Sequence, residues 1–160
     1  MHDNQDEKLP TDRDSLELAQ TAKARFETTE AAAETYGLDL QRLKDCATEM
    51  LDTIHRGQCQ KDVLWVLEIS QAMITAVMAV NGEPLPVSGK VDPASFAMAA
   101  LRDLSKAAKE SGRNFSSLET AAVEILRDAE TNSYSNLEAF WAVNRATASV
   151  ELGWARSLGQ

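Results

Sequence analysis

Histidine, cysteine and proline are scarce in this sequence, with two, two and four residues among 160. With so few histidines, and none close in sequence to a serine or cysteine nucleophile, nothing supports a catalytic triad. Cys46, His55 and Cys59 lack the paired spacing of zinc ligands, and the two cysteines allow at most one disulfide. There is no glycine-rich phosphate loop, heptad array or internal repeat. These absences exclude several common classes of enzyme and metal-binding domain.

Positive charge is also in deficit, because 16 Lys and Arg face 25 Asp and Glu, giving a net charge of -9. A surface of this sign repels nucleic-acid phosphates and anionic membranes, so we expect neither as a partner. Residues 1–13 are polar and charged and do not resemble a signal peptide. We therefore predict a cytoplasmic protein with a disordered acidic tail over residues 1–13 and one domain over residues 14–160.

The rest of the chain has the start and stop signals of helices, and no strand pattern competes with them. Gly37, Gly57 and Gly112 are placed as helix stops, while Asp92 followed by Pro93 marks a start. Two Ser-x-x-Glu capping boxes, at 116–119 and 135–138, mark the starts of the last two helices. The expected helices cover residues 14–36, 39–56, 61–80, 92–111, from about 117 onward, and 136–158. We predict an all-α fold, a six-helix and mainly antiparallel bundle with one long Pro/Gly connection between the third and fourth helices.

The third helix is the most apolar segment, with only four polar residues between positions 63 and 80. A membrane span is the competing interpretation, but 18 residues barely cross about 30 Å of hydrocarbon. Glu68 near the middle would also be costly in lipid. We therefore expect this helix at the centre of the bundle, with Glu68 facing solvent or an arginine.

The sixth helix carries two apolar stripes. Phe140 and Trp154 lie on one of them, and Trp141 lies on the other. A terminal helix rarely buries two faces inside a monomer, so one stripe is expected to meet a second chain or a partner protein. The alternative is a helix inserted between its neighbours.

Four cations follow one another at intervals of four, three and four residues along the fourth helix: Arg102, Lys106, Lys109 and Arg113. This spacing places them on one face, where they could receive an acidic partner, a phosphate or the acidic tail. The alternative is a solvated face whose last cations favour the negative end of the helix dipole.

Two carboxylate pairs, Glu27 with Glu30 and Glu49 with Asp52, fall on the first and second helices. If these helices packed antiparallel, the four carboxylates could converge on Mg²⁺, which prefers oxygen ligands. The arrangement resembles the ExxE…ExxD signature of the all-α nucleotide pyrophosphohydrolases. That resemblance implies Mg²⁺-dependent cleavage of a nucleoside triphosphate, with these four residues as metal ligands and catalytic groups. The other interpretation is two solvated acidic faces.

From the sequence we expect a small acidic helical module for protein–protein interaction, of a regulatory, adaptor or inhibitor kind, without cofactor or metal. Its partner is a protein or a second copy of itself, as in a homodimer. The contact residues expected are Phe140, Trp141 and Trp154 on the sixth helix and the four cations on the fourth. The alternative is the Mg²⁺-dependent enzyme.

Overall fold

A computed structural model of the chain describes residues 14–54, 59–84 and 92–158. They form six α-helices, and no strand occurs among them, so the predicted all-α class is confirmed. The helices are α1 (Ser15–Tyr36), α2 (Leu40–Ile54), α3 (Gln60–Val80), α4 (Pro93–Glu110), α5 (Phe115–Thr131) and α6 (Asn136–Leu158). The predicted tail, His55 and most of the Pro/Gly connection lie outside the described residues.

Side-chain caps fix most helix starts. The carboxylate of Asp14 accepts a hydrogen bond from the Glu17 N–H, and Asp92 caps α4 through the Ser95 N–H. Gly37 ends α1 with a φ of 66°, in the left-handed region where glycine meets no Cβ penalty. Because each cap satisfies backbone groups that the helix leaves unpaired, these short signals set the boundaries.

The two predicted capping boxes have different outcomes. At α6 the box forms as expected, since the Glu138 N–H donates to Ser135 Oγ at 3.1 Å and the Ser135 N–H donates to Glu138 Oε1 at 2.9 Å. At α5 the prediction was wrong, because the helix begins at Phe115 and its cap is Asn114, whose side chain accepts from the Ser117 N–H. Asparagine caps as well as serine does, and it comes first in the chain.

Two helices, α3 and α6, form the centre of the bundle. They pack against each other, α3 also packs against α4 and α5, and α6 also packs against α1 and α2. The core of α3 includes Leu64, Trp65 and Leu67, which are fully buried. By length and composition α3 could also cross a membrane, but most of it is covered by the other helices. The expectation of a central third helix is therefore confirmed, and α6 shares that position.

Helix α1 lies on α6 through a narrow seam of small and polar residues. On α1 the buried side chains include Leu18, Ala22 and Thr29, which follow a spacing of four and seven residues. Alanines allow close approach of two helices, and the spacing keeps one face of α1 on α6 along its length. The opposite face of α1 therefore points to solvent.

Candidate functional site

The four carboxylates of the predicted metal site do not converge. Glu27 and Glu30 are exposed on α1, and Glu49 and Asp52 are exposed on α2. The reason is that α1 and α2 both pack on α6 and share no extensive interface in the described part of the chain. The fold therefore does not bring together the four ligands that the alternative, the Mg²⁺-dependent enzyme, requires.

The same result holds for other metal ligands within the described ranges. In residues 14–54, 59–84 and 92–158, no group of three or more His, Cys, Asp and Glu side chains is placed to hold a metal ion. Glu49 has a different role, because its carboxylate accepts a hydrogen bond from the Tyr134 hydroxyl at 3.1 Å. This bond ties α2 to the turn between α5 and α6.

That turn is held by a compact polar cluster. Arg42 Nε donates to Glu138 Oε2 at 2.7 Å, Arg42 Nη2 donates to the Ser133 carbonyl at 2.9 Å, and the guanidinium lies 4.3 Å from the Tyr134 ring centroid. Partial burial would raise the pKa of Glu138, but hydrogen bonds from the Ser135 N–H and from Arg42 outweigh it and keep this pKa below its usual value. The cluster is structural in character, because its charges are paired with one another.

Cys46 lies beside this cluster and is buried. Burial first, and then the nearby carboxylates of Glu49 and Glu138, raise its pKa to about 12. Burial and the hydrogen bond to Glu49 likewise raise the pKa of Tyr134 to about 12. A thiol that stays protonated is a poor nucleophile and a poor metal ligand. Cys46 therefore behaves as a core residue, as small buried cysteines commonly do.

The aromatic residues predicted to meet a partner on α6 are occupied within the chain. Phe140 is 6% exposed and Trp154 is 8% exposed. Trp141 is half-buried and makes an edge-to-face contact with Phe140, with ring centroids 5.2 Å apart. Helix α6 packs against α1, α2 and α3, so it is inserted between its neighbours, as the alternative expected. A partner contact through the side of α6 that carries the half-buried Trp141 stays a prediction.

A polar network inside the α1–α6 seam was missed by the sequence reasoning. Arg25 Nε donates to Glu151 Oε1 at 3.0 Å, and Arg25 Nη1 donates to Asn144 Oδ1 at 2.9 Å. Arg25 also lies 3.6 Å from a carboxylate oxygen of Glu68, which confirms that Glu68 faces an arginine. Asn144 in turn donates to the Thr29 hydroxyl at 2.9 Å. The signal that could have revealed the network is the seven-residue spacing of Asn144 and Glu151 on an otherwise apolar face.

Three of the four predicted cations on α4 remain together on the surface. Arg102, Lys106 and Lys109 are exposed, and they are named here the basic stripe. Arg113 is separate, because α4 ends at Glu110 and the chain then turns toward α3. There Arg113 Nε donates to Asp62 Oδ1 at 2.9 Å, and its guanidinium lies 5.8 Å from the Trp65 ring centroid. Its inclusion in the stripe was therefore wrong.

Large exposed apolar side chains occur near the end of α3 and at the start of α4. Phe96 is 53% exposed and Met98 is 61% exposed, and Val77 and Val80 of α3 are also open to solvent. Met98 precedes Arg102 by four residues, so it continues the basic stripe by one turn. The sequence reasoning did not select these residues, because apolar positions on an amphipathic helix are first assigned to the core.

A groove of about 130 Å³ lies nearby, between the end of α3, the end of α5 and the start of α6. It is lined by the apolar side chains of Ile74, Val77 and Leu126 and by the polar ones of Glu130, Tyr134 and Asn136. Small-molecule sites usually enclose about 300–1,000 Å³ and carry convergent polar groups. The groove is therefore too small for a ligand of ordinary size.

The chain matches no protein family, no curated protein sequence and no solved structure.

Proposed function

We propose that this chain is a small helical protein–protein interaction module and that the outward face of α4 is its contact surface. The observation that carries the proposal is how little of α4 is used by the fold. Its buried residues are three alanines, Ala97, Ala107 and Ala108, and its main neighbour is α3 alone. Such a helix leaves a long face free for another molecule.

The chemistry of this face supports a protein partner. Met98 and Phe96 supply exposed apolar area of the kind that anchors interfaces, where methionine and aromatic residues are enriched. The basic stripe supplies three exposed cations on a chain whose net charge is -9. Opposite charges on two proteins speed their encounter and set their relative orientation more than they raise the binding affinity. An acidic segment with apolar residues beside its carboxylates fits both features.

The enzyme alternative has weaker support. It depends on four carboxylates that lie on two helices without a common interface. Catalysis by Mg²⁺ requires ligands fixed around one open site. Regulatory, adaptor and inhibitor roles all remain compatible with an interaction module, and the identity of the partner would separate them.

The proposal is tested by site-specific photo-crosslinking in an extract of the native cells. A photo-reactive residue replaces Lys106 in one variant and Glu119, an exposed residue of α5, in the matched control. We expect position 106 to give a defined protein crosslink that position 119 does not give. Adding Arg102→Glu and Lys109→Glu to the position-106 variant should remove the crosslink. Equal labelling from both positions would reject α4 as the contact surface.

A further inference from the structure

The outward face of α1 carries three carboxylates whose spacing mirrors that of the basic stripe. Glu27, Glu30 and Glu34, named here the acidic stripe, are separated by three and four residues. Read from the C-terminal end, Lys109, Lys106 and Arg102 are also separated by three and four residues. All six side chains are exposed. Among the described residues, no ion pair or side-chain hydrogen bond engages any of them.

Two antiparallel helices with these stripes match in a single register. Glu27 then faces Lys109, Glu30 faces Lys106, and Glu34 faces Arg102, because both stripes advance by 1.5 Å per residue along their helices. Lys23 lies one turn before Glu27 on the same exposed face. Sliding the helices by one turn keeps Glu30 opposite Arg102 but brings Lys23 opposite Lys109, so like charges weaken that shifted register. A parallel arrangement pairs the two outer charges as well and places Glu30 one residue away from Lys106, so the charge pattern favours the antiparallel register.

The two stripes cannot meet within one molecule. Helix α1 packs on α6, α6 packs on α3, and α3 packs on α4. Two helices thus lie between α1 and α4, and both stripes point away from them. We infer that α1 of one copy docks antiparallel on α4 of a second copy, so that the acidic stripe covers the basic stripe. This inference rests on the proposed function, and it names the partner as the chain itself.

The contact is heterologous, because the two surfaces that meet are different. Each copy offers one acidic stripe and one basic stripe, so contacts repeat until a ring closes or a chain of copies grows. Exposed ion pairs are individually weak, and three of them together change an association constant on the order of tenfold. Salt screens them, since the Debye length falls from about 10 Å at ~0.1 M to about 3 Å at ~1 M. The association is therefore expected to depend on protein concentration and to weaken with salt.

A charge-swap experiment followed by sedimentation velocity tests the inference. One variant reverses the basic stripe, with Arg102→Glu, Lys106→Glu and Lys109→Glu. The other reverses the acidic stripe, with Glu27→Lys, Glu30→Lys and Glu34→Lys. We expect the wild type to associate at low salt and each variant alone to associate on the order of tenfold more weakly or not at all. A mixture of the two variants, and a chain that carries all six changes, should associate again.

The recovery by mixing is the decisive readout, because a damaged fold cannot produce it. A matched control, Asp45→Lys, Glu119→Lys and Glu124→Lys, changes the net charge as much as the acidic-stripe variant and uses exposed residues of α2 and α5. The association of this control should not be weakened in the way that the association of the acidic-stripe variant is. A wild type that stays monomeric at low salt, or a mixture that does not recover association, would overturn the inference.

Failure of this inference and failure of the proposed function are distinguishable. If the wild type is monomeric but position 106 crosslinks to a different protein, α4 remains the contact surface and only the second copy is rejected. If position 106 gives no specific crosslink in extract or in concentrated pure protein, the proposed function and the docking of two copies are both rejected. If its crosslinks reach residues 27–34 of another copy, both are supported.

Discussion

Replacing Arg25 by methionine should destabilise the fold far more than an ordinary surface substitution. The guanidinium of Arg25 is a counter-ion of Glu151, whose side chain is fully buried in α6. Removing one partner of a buried pair usually costs about 3–5 kcal/mol, because the other charge stays in a low-dielectric site. Arg25 itself is 28% exposed, so water can reach part of the network. We therefore expect a loss of about 2–3 kcal/mol for Arg25→Met.

The same reasoning predicts the outcome of the double substitution. When Arg25→Met and Glu151→Met are combined, no charge remains buried between α1 and α6, and two apolar side chains of similar length fill the space. Such replacements are often neutral or stabilising. The double variant should therefore lose less than the sum of the two single losses. A loss of about 1–2 kcal/mol should remain, because Asn144 Oδ1 no longer accepts a hydrogen bond from Arg25.

The assay is urea unfolding followed by circular dichroism on the wild type, both single variants and the double variant. A loss of about 2–3 kcal/mol corresponds to a fall in Tm of about 4–12 °C for a chain of this length. An Arg25→Met loss below about 0.5 kcal/mol would refute the reasoning. So would a double variant whose loss equals the sum of the single losses, since that result means no coupling between the two side chains.

Four further predictions concern the buried and paired residues. Trp154→Ala should lower the free energy of unfolding in urea by about 3–5 kcal/mol, as much as Trp65→Ala, because both side chains are in the core. A loss below about 1 kcal/mol would indicate an open face on α6. A thiol reagent should label only the exposed Cys59 in the folded chain and both cysteines in denaturant, and rapid labelling of Cys46 would contradict its burial. The pKa of Cys46 is about 12 in the folded state against an ordinary 9.0, so the folded state binds this proton more tightly than the unfolded state does. The free energy of unfolding should therefore fall as pH rises above about 9. Cys46→Ala should reduce that fall. Glu49→Ala should leave Mg²⁺ titration by calorimetry unchanged, and a loss of binding would restore the metal-site hypothesis.

The fold followed from local signals that act through backbone chemistry. Gly37, Asp92 and the capping box at Ser135 each satisfy or release specific backbone groups, so their effect is independent of the rest of the chain. The apolar run of α3 predicted its central place for a similar reason, because that much apolar surface is stable only when covered. At α5 the predicted capping box at 116–119 was wrong, because Asn114, two residues earlier, caps the helix.

The site was harder to predict because it depends on which helices become neighbours. The sequence predicts two apolar stripes on α6, yet only the packing shows that Phe140 and Trp154 are buried and that Trp141 is half-buried. The four carboxylates had suitable spacing within each helix, but α6 keeps their two helices apart. Arg113 left the basic stripe because the chain turns after Glu110, which brings Asp62 within reach. Spacing fixes faces within a helix, whereas convergence between helices is a property of the tertiary fold.

Lysine footprinting of the unmodified protein tests the α4 contact surface most directly. Lys106 and Lys109 are compared with Lys61, which is exposed at the start of α3, by brief acetylation and mass spectrometry. The reference is dilute pure protein at high salt, and the test samples are native extract and concentrated protein at low salt. We expect Lys106 and Lys109 to lose reactivity in at least one test sample while Lys61 does not. Unchanged reactivity of all three lysines under every condition would contradict the assignment of α4 as the contact surface.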